Sequence, residues 1–190
     1  MSILLNGKNT EVVQDLVNRI FDVCPAMEIL FRDTDAQGKI TRIPDRVMFI
    51  RRSVSVDSTL ERLDTVINLD SLTGSEDFNQ TVLGYRDVSE EFAPELRNNN
   101  GLWVNVVTNP GSSKIRNAMY SALAAFVRMQ AQEEDRRRIT GGSQITYVNI
   151  KLQQETLTRL NADLVCLLID YISRYRDILI NMPGLELRLN

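Results

Sequence analysis

Apolar side chains recur at Val12, Val13, Leu16, Val17, Ile20 and Phe21. That i, i+4 double stripe predicts an amphipathic helix over Thr10–Val23, capped by Asn9 or Thr10 and stopped by Pro25. Met27–Arg32 then reads as a strand, Asp33–Gly38 as a polar turn and Lys39–Ile43 as the returning strand of a hairpin. Pro44-Asp45 breaks the pattern, and Arg46–Val56 follows as a longer strand with Met48, Ile50, Val54 and Val56 on one face. Ser58-Thr59-Leu60-Glu61 matches a capping box and predicts a helix carrying Leu60, Leu63, Val66 and Ile67, ending before Gly74.

Within Ser71–Gly101 the pattern offers a strand at Gln80–Val88, a short acidic helix around Ser89–Leu96 and a turn at Asn98-Asn99-Asn100-Gly101. Leu102–Thr108 is a strand. Ser112 or Ser113 caps a helix running through Ile115, Met119, Ala122, Leu123, Phe126 and Val127 to Arg138, closed by Gly141-Gly142. Gln144–Leu152 suits either a strand, by its β-branched content, or the first turns of the next helix. Leu157, Leu160, Leu164, Leu167, Tyr171, Tyr175, Ile178 and Met182 then form a stripe whose period is about 3.6 residues, that of a straight helix. Val165, Leu168, Ile169 and Ile172 add a second stripe, so this helix must be covered on two sides. Pro183-Gly184 ends it, and Leu185–Leu189 is a strand-like tail.

These elements predict an α+β fold: an N-terminal helix and antiparallel β-hairpin or sheet region, followed by two long C-terminal helices. Residues 1–190 are expected to form a single domain, mixed α/β over 1–110 and long-helical over 111–182.

Composition narrows the chemistry more than the fold. The 190 residues include no histidine, which removes imidazole-based triads, shuttles and zinc sites. Hydrophobic content of 43% and charged content of 25% are ordinary for a globular chain. A net charge of −3 disfavours nucleic acid as the main ligand. Only Lys8, Lys39, Lys114 and Lys151 are lysines; arginine supplies the remaining cations, a skew suited to protein interfaces. Cys24 and Cys166 lack the spacing of a metal or redox motif, Cys166 reading as a core residue. Met1–Asn6 turns polar too soon for a signal peptide, and the longest apolar run, Leu164–Ile169, is too short for a membrane span. The expectation is a protein made in a reducing cytoplasm, with no cofactor, no metal and no membrane partner.

Four constellations carry candidate chemistry. Val104–Lys114 runs strand, Gly/Ser turn, helix start, so Gly111, Ser112, Ser113 and Lys114 could bind an anion. The run has one glycine where a phosphate loop needs two, and a Pro-Gly turn with a serine cap explains it more simply. Asp33-Thr34-Asp35-Ala36-Gln37-Gly38 resembles the start of a calcium loop, but Pro44 stands at the twelfth position and the flanks read as strands. Glu133-Glu134-Asp135-Arg136-Arg137-Arg138 places acids four residues before bases in Glu133–Arg137 and Glu134–Arg138, as a solvated helix end does. Asp87, Glu90, Glu91 and Glu95 make an acidic patch without the aromatic platforms of a glycosidase.

The reading that follows is a non-enzymatic structural or assembly protein, a homo-oligomer or subunit of a larger complex, of the kind found in the neck, tail or baseplate of a tailed-virus particle. Leu167, Tyr171, Tyr175 and Ile178 would lie at its packing interface, with Arg136, Arg137 and Arg138 on a polar rim. The alternative is an enzyme or sensor that binds a small phosphate-type anion at Gly111–Lys114.

Overall fold

A computed structural model describes residues 2–8, 10–23, 28–34, 39–43, 63–69, 77, 79–108, 113–142, 144–152, 170, 174 and 185–189. Seven strands form one sheet: β1 (Ser2–Gly7), β2 (Glu28–Asp33), β3 (Lys39–Ile43), β4 (Thr65–Asn68), β5 (Leu102–Thr108), β6 (Thr146–Leu152) and β7 (Leu185–Leu189). Their order across the sheet is β3-β2-β1-β4-β5-β6-β7. Every pairing is parallel except β2 with β3, which runs antiparallel and leaves β3 at the edge.

This corrects the expected architecture. The β2–β3 hairpin is present, but it is an appendage on a parallel α/β sheet rather than the nucleus of an antiparallel one. Parallel strands are covered on both faces, so they read as continuous apolar runs and give no alternating signal. β1 is buried along its whole length, and so is everything from Leu63 to Leu69. Two local predictions fail for that reason. Leu63, Val66 and Ile67 have helical spacing, yet Asp64-Thr65-Val66-Ile67-Asn68 is a β-branched stretch that enters the middle of the sheet as β4. Ser2–Gly7, read only as too short and too soon polar for a leader, is the interior strand β1.

The second correction runs the other way. Gln80–Val88, expected as a strand, is helical: a π-helical turn at Asn79–Leu83 leads into α2 (Gly84–Asn98). Tyr85, Val88, Ser89, Phe92, Ala93 and Leu96 are its buried residues, a 3.6-residue stripe that crosses the supposed boundary at Ser89. Asn100, with φ 47°, takes the left-handed conformation that ends the helix, and the Gly101 amide donates to the Leu96 carbonyl at 2.6 Å.

Two further helices among the described residues are α1 (Glu11–Val23) and α3 (Lys114–Ile139). Gln144–Leu152, ambiguous in the sequence, resolves as β6. The strand expected at Arg46–Val56 and most of the helix expected at Leu157–Met182 lie outside the described residues; Asp170 and Arg174 are helical, joined by an i, i+4 ion pair of 2.9 Å. Among the described residues no helix is long and apolar enough to cross a membrane.

Right-handed crossovers decide which face each helix covers. From β1 the chain moves one way to β2 through α1. From β4 it moves the other way, through α2 to β5 and α3 to β6. α2 and α3 therefore share one face and α1 takes the other. On the α2/α3 face, Leu30, Leu4, Val66, Trp103 and Tyr147 form one row in register across β2, β1, β4, β5 and β6. That row packs with Tyr85, Val88, Phe92 and Leu96 of α2 and Leu123 and Val127 of α3 in one core. The Tyr85 ring meets Trp103 edge-on at 5.3 Å and Phe126 at 5.7 Å.

Candidate functional site

The strand order reverses direction between β1 and β4, the arrangement that places a crevice above the carboxyl ends of the strands in open α/β sheets. Open α/β sheets bind ligands at such a switch point, because the helices that diverge to opposite faces leave the loops between them apart.

Below the rim of this crevice lies a row of polar side chains, none of them among the candidates read from the sequence. One pleat beyond the aromatic row, Arg32, Asn6, Asn68, Asn105 and Asn149 are in register on β2, β1, β4, β5 and β6. They form a continuous chain. The Arg32 guanidinium donates to Asn6 Oδ1 at 3.1 Å. Asn6 Nδ2 donates to Asn68 Oδ1 at 2.8 Å, and Asn68 Nδ2 to Asn105 Oδ1 at 3.0 Å. Asn105 Nδ2 donates to Asn149 Oδ1 at 3.3 Å. All the donors point the same way, so each bond polarises the next. Asn6, Asn68 and Asn105 are almost completely buried, Asn149 half-buried. At the other end Arg32 also reaches Glu91 of α2 at 3.4 Å. A signal for this row exists in the sequence: Leu4-Leu5-Asn6, Val66-Ile67-Asn68, Val104-Asn105-Val106 and Val148-Asn149-Ile150 each place one asparagine in an apolar run.

The crevice rim comes from the turn after β1 and the end of β2. Gly7 is in register with Asp33, and the Thr34 amide donates to the Gly7 carbonyl at 3.1 Å. A side chain is missing at Gly7 where the Asp33 carboxylate closes β2, on the α1 face of the sheet. Thr10 caps α1: its hydroxyl accepts from the Val13 amide at 3.3 Å and its carbonyl from the Gln14 amide at 2.9 Å. Glu11 stands exposed in the first turn of that helix.

Other predicted site residues fall elsewhere. Ser113 caps α3, accepting from the Arg116 amide at 3.3 Å, so its hydroxyl serves the helix. Lys114 is exposed, and Gly111 and Ser112 lie outside the described residues. Asp33 ends β2 and Lys39 opens β3 in register with it, consistent with a hairpin turn in place of a calcium loop. Arg136, Arg137 and Arg138 are exposed, with ion pairs at i, i+3 rather than the expected i, i+4: Arg137 to Glu134 at 3.6 Å and Arg138 to Asp135 at 2.9 Å. Glu134 itself is buried, holding Arg97 of α2 at 2.6 Å and accepting from the Ile145 amide at 3.1 Å. That pair ties α2, α3 and the entry to β6 together, and the hydrogen bond to Glu134 raises the Arg97 pKa. Leu167, Tyr171, Tyr175 and Ile178 lie outside the described residues. The acidic patch is the outer face of α2, where Glu90 and Glu91 are exposed.

Two phenols are buried next to the asparagine row. Desolvation raises the pKa of Tyr85 and of Tyr147, so both stay protonated at neutral pH and can donate hydrogen bonds but not act as bases.

No family model matches the chain, and no curated protein matches it. Solved structures do match its fold. A short-chain dehydrogenase/reductase from Brucella ovis aligns with a TM-score of 0.61 at 15% identity, covering 100% of this chain and 99% of that one. A Brucella ovis oxidoreductase of the same family, in complex with a partially ordered NAD, gives 0.61 at 14% identity over 100% and 99%. BdcA (YjgI) from E. coli gives 0.57 at 12% identity over 99% and 97%. At these identities the likeness establishes the fold, a Rossmann-like parallel sheet. It overturns the expectation of a non-enzymatic virion or assembly subunit. That expectation was an analogy drawn from a hairpin followed by two long helices; the described strands instead form a mostly parallel sheet, and the two Brucella ovis structures it resembles are oxidoreductases.

The fold family implies a dinucleotide, and the turn after β1 does not fit its pyrophosphate. The fingerprint G-x-G-x-x-G begun at Gly7 would need glycine at Asn9 and Val12.

Proposed function

We propose that this protein is an enzyme of oxidoreductase type that takes a nucleoside-bearing ligand into the crevice between β1 and β4. The single observation that carries this reading is the sheet order reversing at β1/β4 with an acid, Asp33, at the end of β2 in register with Gly7. An acid at that place in the fold accepts hydrogen bonds from ribose hydroxyls. The full-length likeness to short-chain dehydrogenase/reductase structures supports the same place for the ligand.

In this reading Asp33 orients the ribose and the bare Gly7 backbone lets the ligand approach β1. The asparagine row keeps the ends of β1, β4 and β5 in fixed register beneath it, and the half-exposed Lys8 lies at the rim. The test is a thermal-shift and calorimetric panel of adenosine, AMP, ADP, NAD+ and NADP+, with Asp33→Asn as the comparison. A ligand present at a hundredfold excess over its Kd stabilises by about 2.7 kcal/mol, a rise of about 5–10 °C for a chain of this size. Adenosine-bearing ligands should produce such a rise and Asp33→Asn should remove most of it. No shift with any member of the panel refutes the proposal.

A further inference from the structure

We infer that the β1–α1 turn discriminates against a pyrophosphate, so that a nucleotide bound in this crevice is held by its nucleoside end. This rests on the crevice assignment above but concerns a different part of the ligand.

A dinucleotide-binding turn uses glycines so that the backbone can approach the pyrophosphate and the helix can pack close to the strand, with the helix N-terminus left to supply free amides and a positive dipole end. These requirements are met only in part here. Between Gly7 and Val13 the sequence is Gly-Lys-Asn-Thr-Glu-Val-Val, with no second glycine. Val13 is buried, so a branched side chain already fills the space between α1 and the sheet. Its amide is taken by the Thr10 hydroxyl at 3.3 Å. The Thr10 amide is turned back onto the Lys8 carbonyl at 3.0 Å, closing the turn on itself. Finally, Glu11 places a carboxylate in the first helical turn, where it interacts with the dipole in the position an anionic ligand would take. Lys8 and Glu11, three residues apart, leave the turn without net charge to offer.

The consequence is a specific affinity pattern. Adding a second phosphate, or the second half of a dinucleotide, gains nothing: ADP and NAD+ bind within about threefold of adenosine. Removing the Glu11 carboxylate by Glu11→Gln should improve ADP binding about two- to fivefold, the worth of one charge at a helix N-terminus, and leave adenosine unchanged. The triple change Asn9→Gly, Glu11→Gly, Val12→Gly should improve ADP and NAD+ by tenfold or more. Glu11→Gln keeps the test decisive if the glycine-rich variant does not fold.

The measurement is calorimetry for each ligand, together with a titration of inorganic pyrophosphate followed by the 15N-amide shifts of Glu11, Val12 and Val13. Flat amide shifts in the wild type and displaced ones in Glu11→Gln support the inference even if adenosine fails to bind, an outcome that would sink the crevice assignment alone. Wild-type binding of ADP or NAD+ ten times tighter than adenosine, or saturable pyrophosphate shifts at the α1 amides, overturns the inference whether or not the assignment stands.

Discussion

Replacing Asn68 by alanine tests whether the asparagine row is the element that holds the parallel sheet in register beneath the crevice. Asn68 is 1% exposed and sits between two other amides, accepting from Asn6 at 2.8 Å and donating to Asn105 at 3.0 Å. Alanine removes both bonds, taking a partner from Asn6 Nδ2 and from Asn105 Oδ1 in a region closed to water. Each hydrogen bond lost by a buried group costs about 1–3 kcal/mol, so the expected loss is about 2–5 kcal/mol. Asn149→Ala provides the internal contrast: it breaks a 3.3 Å bond at the half-exposed end of the row, where water can replace the lost partner. Its cost should be near 1 kcal/mol, the net worth of one hydrogen bond, give or take about 0.5. Urea unfolding followed by the fluorescence of Trp103, the chain's single tryptophan and fully buried, reads both variants directly. The reasoning fails if Asn68→Ala costs no more than Asn149→Ala. A Asn68/Asn105 double-mutant cycle should add a coupling of about 0.5–3 kcal/mol, as expected for neighbours in one network.

Three further outcomes follow from the same geometry. Raising the pH should destabilise the protein steeply: the unfolded tyrosines ionise near 10.0 while burial keeps Tyr85 and Tyr147 protonated in the fold. Their contribution is complete below pH 10 and falls by about 1.4 kcal/mol per pH unit for each phenol above it, so Tyr147→Phe should roughly halve the alkaline slope of a urea-midpoint series. Glu134→Ala leaves Arg97 and the Ile145 amide without their carboxylate and should cost about 3–5 kcal/mol by denaturant titration, whereas the exposed Glu133→Ala should stay within about 0.5 kcal/mol. Gly101→Ala would place a Cβ 2.6 Å from Leu96 Cδ2 and 2.9 Å from the Leu96 carbonyl oxygen, and should lower stability by about 1–3 kcal/mol; an unchanged melting temperature would contradict the tight turn.

How far the sequence discloses this molecule depends on whether an element has one wet face. α1 and α3 show clear 3.6-residue stripes because each has a solvated side, and the sequence narrows the cap of α3 to Ser112 or Ser113, of which the structure uses Ser113. The β2–β3 hairpin is legible because β3 is an edge. β1 and β4 are not, since a strand buried on both faces is only a short apolar run, which reads as a helix fragment or as nothing. With those two strands unread, the parallel order disappears, and with it the crevice. The asparagine row went unread for a related reason: an Asn in an apolar run is a signal, but each looks like an isolated polar residue until the register brings Asn6, Asn68, Asn105 and Asn149 side by side. What the composition did convey, the lack of imidazole, still holds for any chemistry done here, so proton transfer must rely on carboxylates, phenols, lysine amines, thiols or solvent.

An adenosine-bearing ligand should sit over the carboxyl ends of β1, β2 and β4. In a titration of 15N-labelled protein with adenosine, shift changes should cluster at Gly7, Lys8, Asp33, Thr34, Asn68 and Leu69, the carboxyl ends of β1, β2 and β4. Changes confined to α2 or α3, or none up to millimolar ligand, would contradict it.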